Sequence, residues 1–222
     1  MSQGRGGGMA GAEAVGAVGV RKARAAETEA ALKEAAKRVF ARTGYAKAKI
    51  TDITAEAGRA AGSFYSHFES KEQLLEALLL DMLAEGDVRV EESDHSPDFS
   101  DPAAVRWHVA VYVRFAGANR AVVTALHQAA MVDERFAERL RLLLEPNVRD
   151  IAEHLEHVRR AGGRLPGEPV VVASAIIALM SEFARTWLLS DTGERLLGRQ
   201  LSEEEAVDTL TGLIVDGISG RR

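Results

Sequence analysis

The chain has 222 residues, 46% of them hydrophobic, and a formal net charge of −5. This apolar fraction can fill a sizeable core, which excludes wholesale disorder, and the length suits one large domain or two modest ones. Because there is no cysteine, disulfide frameworks, thiolate metal sites and cysteine nucleophiles are excluded. The composition fits a reducing cytoplasm, which is the location we expect.

Charge is distributed unevenly along the chain. Residues 1–80 contain 12 Lys and Arg against 9 Asp and Glu, whereas residues 81–222 contain 16 against 24. Nucleic-acid binding requires local positive charge and not a basic chain as a whole. A mildly basic N-terminal part ahead of an acidic remainder is therefore compatible with DNA binding, and ordinary charge scatter is the alternative.

Residues 1–24 are rich in glycine and alanine. Such a segment cannot bury enough surface to offset the entropy of ordering it, so we expect a disordered tail. It has no apolar stretch after a basic start and is not a secretory signal. Arg21, Lys22 and Arg24 end the tail. Two interpretations stay open: a basic arm that touches phosphates or the minor groove, or a solvated segment.

The first predicted helix runs from about residue 26 to 42 and closes at Gly44. Its apolar positions recur at the spacing of an amphipathic helix, so we expect it to form the core behind the next two helices. These positions are Leu32, Ala35, Ala36, Val39 and Phe40.

The sequence of residues 50–71 predicts two short helices joined by a glycine. Ile50, Ile53 and Ala57 share one helical face, and Gly58 follows where a left-handed residue ends a helix. Phe64 and Phe68 are four residues apart and are expected in the core, with small polar side chains between them. This layout is typical of a helix-turn-helix.

Roughly residues 28–80 resemble the DNA-binding domain of the TetR family of transcriptional regulators. The matching positions are Phe40-Ala-Arg-Thr-Gly44-Tyr45, Asp52-Ile53, Ala57-Gly58, Gly62-Ser63-Phe64-Tyr65, His67-Phe68 and Ser70-Lys71. The resemblance implies an all-α fold of about nine helices. It places a three-helix DNA-binding domain at residues 25–71 and a larger helical ligand-binding and dimerisation domain at residues 72–222.

The resemblance further implies a homodimeric regulator of transcription, a repressor that a small molecule releases from a palindromic operator in double-stranded DNA. A helix-turn-helix that recognises a DNA sequence needs hydrogen-bond donors to phosphate oxygens and short side chains that reach base edges. Tyr65 and His67 suit phosphate, and Lys71 adds charge at a helix start. Lys49 and Arg59 replace usual family residues and are hypothesised as extra phosphate contacts. The expected DNA contacts are Lys49, Thr51, Arg59, Ala61, Gly62, Ser63, Tyr65, Ser66, His67 and Lys71.

Several helix boundaries can be predicted in the remaining chain. Ser70 to Gln73 and Ser202 to Glu205 match capping boxes, and Asp101-Pro102 matches an N-cap followed by proline at the first helical position. Pro146 should kink or divide a long helix. In the DNA-binding domain, Lys49 and Ala60 stand where caps are usual, and a lost cap typically costs about 1 kcal/mol.

The resemblance implies an effector pocket with mostly apolar walls and a few polar groups. Aromatic side chains at helical spacing are also common in ordinary cores, and that alternative stays open. The candidates are Met82, Trp107, His108, Tyr112, Phe115, His127, Met131, Asn147, Phe183 and Trp187. No cofactor is expected, and the histidines lack the spacing of a metal site.

Val170 to Met180 is almost entirely apolar and is expected to be too short to span a membrane. A helix that is apolar on most of its circumference must be buried on two sides, so we expect it to pair with the last helix in a dimer interface. The expected interface residues are Ala173, Ile177, Met180, Leu210, Leu213 and Ile214. The alternative is the core of a monomer.

Rival functions are a helical enzyme, a helical dimer that acts through a protein partner, and an activator of the same fold without an effector. The sequence has no nucleophile elbow, zinc-protease helix or phosphate loop. We therefore expect no enzymatic activity.

Overall fold

The computed structural model describes residues 9–91, 96 and 98–219, and the side chains of residues 21–86, 96 and 98–217. Within these residues all regular structure is helical, which confirms the all-α prediction. Ten helices are present, one more than expected, because a short α9 was not predicted. They are α1 (Met9–Thr43), α2 (Ile50–Glu56), α3 (Ala61–Phe64), α4 (Lys71–Glu91), α5 (Pro102–Ala118), α6 (Arg120–Val132), α7 (Glu134–Arg160), α8 (Pro169–Trp187), α9 (Thr192–Leu197) and α10 (Glu203–Ser219).

The chain divides into two compact units, an N-terminal unit (Met1–Leu74) and a C-terminal unit (Leu75–Arg222). The division lies close to the domain boundary expected after residue 71. In the N-terminal unit, α1 contributes the predicted stripe from Leu32 to Phe40, and these apolar side chains are buried. Tyr45, Phe64 and Phe68 are buried with them.

Helix α1 begins at Met9 and not near residue 26. The expected disordered tail therefore differs from the structure from Met9 onward, and residues 1–8 lie outside the described residues. Alanine is the strongest helix former, and it recurs through this part of the sequence. Alanine content thus outweighed the glycines on which the expectation of a tail was based.

In the C-terminal unit, α5, α7, α8 and α10 build an apolar core. Two predicted caps define helix starts there. Asp101 accepts a hydrogen bond from the Ala103 N–H at 2.9 Å at the start of α5. At α10 the Ser202 Oγ accepts from the Glu205 N–H and the Glu205 carboxylate accepts from the Ser202 N–H, which completes a capping box.

Two long helices differ from their predicted form. The sequence predicts that Pro146 kinks or divides a long helix, and the helix is not divided, because Pro146 lies inside a continuous α7. Helix α8 extends to Trp187. By length and composition alone α8 could cross a membrane, so the argument that this segment is too short fails. One face of α8 nevertheless packs in the core of the C-terminal unit through Val172, Ala173 and Ile176.

Candidate nucleic-acid interface

The turn between α2 and α3 has the predicted geometry. Gly58 has a φ of 63°, a left-handed backbone conformation that residues with a Cβ rarely adopt. This confirms its predicted place at the end of α2. The Arg59 N–H then donates to the Thr54 carbonyl at 2.9 Å. The chain therefore leaves α2 in a closed turn and begins α3 at Ala61.

Helix α3 ends at Phe64, and residues 65–67 form a turn. Together, α3 and this turn separate apolar and polar side chains between two sides. Phe64 is fully buried, and its ring centroid lies 5.7 Å from that of buried Phe68. Tyr65, between them, is 63% exposed. Ser66 is exposed as well, and His67 is half-buried. The two phenylalanines thus anchor α3 in the core and leave hydrogen-bonding groups in solvent.

The start of α3 offers small, exposed residues. Ala61 and Gly62 are exposed, and a Cβ added at Gly62 would meet no atom within 4 Å. The protein's own packing therefore does not require a glycine here. The Ser63 hydroxyl donates to the Ala60 carbonyl at 2.8 Å, so this hydroxyl keeps only its acceptor capacity for a partner.

Neither α2 nor α3 has a side-chain N-cap, as the sequence predicts for Lys49 and Ala60. At α2 the Asp52 carboxylate accepts a hydrogen bond from the Lys49 N–H at 3.2 Å, which is one of the two bonds of a capping box. Lys49 and Thr51 have exposed side chains. Both are accessible to a ligand of the N-terminal unit.

Arg59 is held by an ion pair that the sequence did not suggest. Its guanidinium lies 2.9 Å from a carboxylate oxygen of Glu27 on α1. The side chain is 34% exposed, and its Nε is buried without a hydrogen-bond partner. Because Arg59 directly precedes Ala60, the N-cap residue of α3, this ion pair links α1 to the start of α3.

Lys71 differs from its expected role as a free phosphate contact. Its Nζ donates to the carbonyl oxygens of Tyr45 at 2.8 Å and Ala48 at 3.0 Å, and it lies 4.0 Å from the centroid of the Tyr45 ring. Burial lowers the pKa of this ammonium. Two of its three donors thus tie the segment between α1 and α2 to the start of α4.

Two further polar networks in this unit were missed from the sequence. The Tyr45 hydroxyl donates to Glu72. Burial alone would raise the pKa of Glu72, but hydrogen bonds, that from Tyr45 foremost, lower it overall. Glu56 accepts from Arg38 at 2.7 Å and from Arg42 at 3.2 Å, and the bond from Arg38 is the main cause of its lowered pKa. These pairs join residues distant in sequence, and no local pattern indicates them.

Several of the ten expected effector residues form local contacts with one another or with neighbouring side chains. The Tyr112 hydroxyl donates to the Ser181 Oγ at 3.3 Å. Ring centroids lie 4.8 Å apart in Trp107 and His108 and 6.3 Å apart in Phe183 and Trp187. Met131 differs from the others in being 86% exposed. The others are buried or half-buried: Met82, Trp107, His108, Tyr112, Phe115, His127, Asn147, Phe183 and Trp187.

Two open clefts of the C-terminal unit lie elsewhere. One, of about 550 Å³, is between α7 and the start of α8, with Val148, Ala152 and Pro169 among its lining residues. The other, of about 290 Å³, is lined by residues that include Arg106 and Glu203. Neither is lined by any expected effector residue.

The expected dimer residues require a correction. Ala173, Met180, Leu210 and Ile214 are buried in the apolar core of the C-terminal unit, so their side chains are not available to a second copy. Ile177 is half-buried and Leu213 is 55% exposed. The buried stripe of α8 was thus mistaken for its exposed stripe, because both are apolar.

Comparisons with known proteins agree with this geometry. The profile of the tetR family of bacterial regulatory proteins matches residues 32–78. The chain is 31% identical over 199 residues to the HTH-type transcriptional regulator TtgR of Pseudomonas putida, which covers 85% of this chain and 91% of TtgR. Identity to the probable HTH-type transcriptional regulator ArpR of Pseudomonas putida is also 31%, with the same coverage.

Solved structures share the fold. A bacterial regulatory protein of the tetR family from Rhodococcus RHA1 has a TM-score of 0.69 at 21% identity, covering 88% of this chain and 98% of that one. The fatty acid degradation regulator FadR from Bacillus halodurans has a TM-score of 0.66 at 16% identity, covering 87% and 97%. The relatives are transcriptional regulators and not enzymes, which excludes the enzymatic alternative. The chain belongs to the tetR family of bacterial regulatory proteins and is a DNA-binding regulator of transcription.

Proposed function

We propose that the chain acts in the cytoplasm as a homodimeric repressor, which binds a palindromic operator and is released from it by a small, largely apolar effector. The observation that carries the proposal is the division of α3 and the turn after it into a buried and an exposed side. Phe64 and Phe68 are buried, whereas Tyr65 and Ser66 between them are exposed. A symmetric dimer with two such elements requires two half-sites related by a two-fold axis.

The DNA contacts divide into two groups. Tyr65 and His67 donate to phosphate oxygens, which position the protein without reading sequence. Ala61, Gly62 and Ser66 lie against base edges, where short side chains allow close approach. Lys49 and Thr51 add contacts from the start of α2. Arg59 and Lys71 support this surface mainly through Glu27 and the Tyr45–Ala48 segment.

The dimer forms through the exposed apolar face of α8 with help from α10. Val170, Val171 and Leu179 on α8 are 52%, 63% and 38% exposed. Ala175 and Ala178 share that side and allow close helix approach, as does exposed Gly212 on α10. Exposed apolar surface of this kind on a long helix is typical of an interface. Leu213 extends the contact, and Ile177 lies at its edge.

The effector binds among the half-buried aromatic side chains of the C-terminal unit. Tyr112 supports this assignment because its hydroxyl contacts Ser181 while the ring packs on the main core, and burial raises its pKa. A neutral phenol suits a largely apolar ligand. By linkage, an effector that weakens DNA binding by a given factor is itself bound more weakly to the DNA complex by that factor.

Selection from a pool of genomic fragments tests the proposal, followed by mobility shift with a panel of small molecules. We expect a palindromic footprint and its loss with at least one effector. Tyr65→Phe tests the phosphate contact, since it removes only the exposed hydroxyl. It should lower operator affinity about tenfold, or about 1.4 kcal/mol, without lowering stability. No selected sequence, or a footprint without symmetry, would contradict the proposal.

A further inference from the structure

Three exposed cations lie on α1 before the part of the helix that is buried in the core. Arg21, Lys22 and Arg24 have exposed side chains. None of them forms an ion pair or a hydrogen bond in the part of the chain whose side chains are described. Residues 21–24 contain no carboxylate. The charge of this segment is therefore available to a partner.

The next two carboxylates along α1 are already paired. Glu27 binds Arg59 at 2.9 Å and Glu29 binds Lys33 at 3.0 Å. Neither therefore offsets the cations at residues 21–24. Residues 21–24 of α1 therefore form a short, uncompensated positive stretch in the N-terminal unit.

The Glu27–Arg59 ion pair determines where this stretch lies. Arg59 directly precedes Ala60, the N-cap residue of α3, so the Glu27 side of α1 faces the start of α3. Arg24 is three residues before Glu27, and Arg21 is three before Arg24, which makes them successive neighbours on the helix surface. Each step is about 4.5 Å along the helix axis.

We propose that Arg21 and Arg24 form a second phosphate-binding element, which contacts the duplex backbone beside the groove that receives α3. The inference rests on the proposed function. The major groove is about 12 Å wide, so cations displaced from the start of α3 by one or two helical turns meet the phosphates at its border. Such contacts add affinity and salt dependence but no sequence preference.

The test measures DNA affinity of the full chain by fluorescence anisotropy over a series of salt concentrations. Two duplexes are used, one with the selected operator and one of mixed sequence. Each phosphate contact contributes about 0.9 to the slope of log K against log salt. We expect Arg21→Gln/Arg24→Gln to lower the slope by about 1.8 for each bound N-terminal unit and to weaken binding to both duplexes by the same factor.

Arg160→Gln/Arg164→Gln is the matched control. It makes the same change in net charge at two exposed arginines of the C-terminal unit, and it should leave the slope unchanged. A wild-type slope in Arg21→Gln/Arg24→Gln, or equal changes in both double variants, would overturn the inference. A wild-type chain that recognises no operator would contradict the proposed function instead, while the mixed-sequence duplex would still measure the slope.

Discussion

The two units of the protein differ in how closely their surfaces follow the sequence pattern. In the N-terminal unit, α1 and α2 end just before Gly44 and Gly58, and each carries one apolar face that is buried. In the C-terminal unit, α8 is apolar on both its buried and its exposed side. The same periodicity argument located Phe64 and Phe68 correctly but reversed the two sides of α8.

This difference follows from the number of faces that a helix must bury. A helix with one apolar stripe has a single way to pack, so the pattern determines its orientation. A helix with two apolar stripes can pack either one on its own protomer, and only the neighbouring helices decide which. Experiments that perturb one unit at a time therefore test the comparison directly.

The largest effect is expected from Phe64→Ala. Phe64 is fully buried, and truncating a core phenylalanine costs about 3–5 kcal/mol. We expect a lower unfolding midpoint in denaturant and loss of operator binding. Tyr65→Ala, at the exposed neighbour, loses only an edge contact with the Phe64 ring. It should therefore lower stability by no more than about 1.5 kcal/mol while still weakening DNA binding. Equal destabilisation by both variants would show that α3 and the turn after it do not divide into a buried and an exposed side.

The next test separates the two sides of α8. Val171→Glu introduces a charge on the exposed face, where an unpaired carboxylate in an apolar interface costs several kcal/mol. We expect a monomer in sedimentation velocity that keeps its helical circular dichroism. Leu210→Ala, in the buried core, should instead lower stability by about 2–5 kcal/mol. A Val171→Glu chain that remains dimeric would locate the interface elsewhere.

A smaller gain is expected from Ala60→Ser. Ala60 is the N-cap of α3 and provides no side-chain acceptor, and a serine there accepts from a free N–H of the first turn, which is worth about 1 kcal/mol. Thermal unfolding should shift upward. Ala60→Val, which cannot cap, serves as the control and should show no gain.

The smallest effect concerns pH and the start of α10. Arg199 foremost, and then Ser202, hydrogen-bond the Glu205 carboxylate and lower its pKa from 4.5 to about 2. A lowered pKa stabilises the fold above pH 4.5, and this stabilisation disappears as the pH falls from 4.5 towards 2. Glu205→Gln should lose that part of the pH dependence, measured as the unfolding midpoint across this range. An unchanged pH profile would contradict the assignment.

Much of the candidate site was predictable because it is local in sequence. Gly58, Phe64 and Phe68 lie within a single supersecondary motif, and their spacing alone separates core from surface. Lys71 was not predictable in the same way. Its partners Tyr45 and Ala48 are 26 and 23 residues away in the sequence. No periodic pattern indicates a contact over such a sequence separation. The same holds for Arg59 and Glu27, 32 residues apart.

The sequence by itself determined the helical class, the helix-turn-helix, the family and most helix ends, since periodicity, glycine turns and caps act over a few residues. Only the tertiary structure decided which face of α8 is buried, that α7 continues through Pro146, and that Lys71 and Arg59 bind within the protein. Such outcomes depend on competition among distant partners for the same side chain. That competition is resolved by packing and not by local pattern.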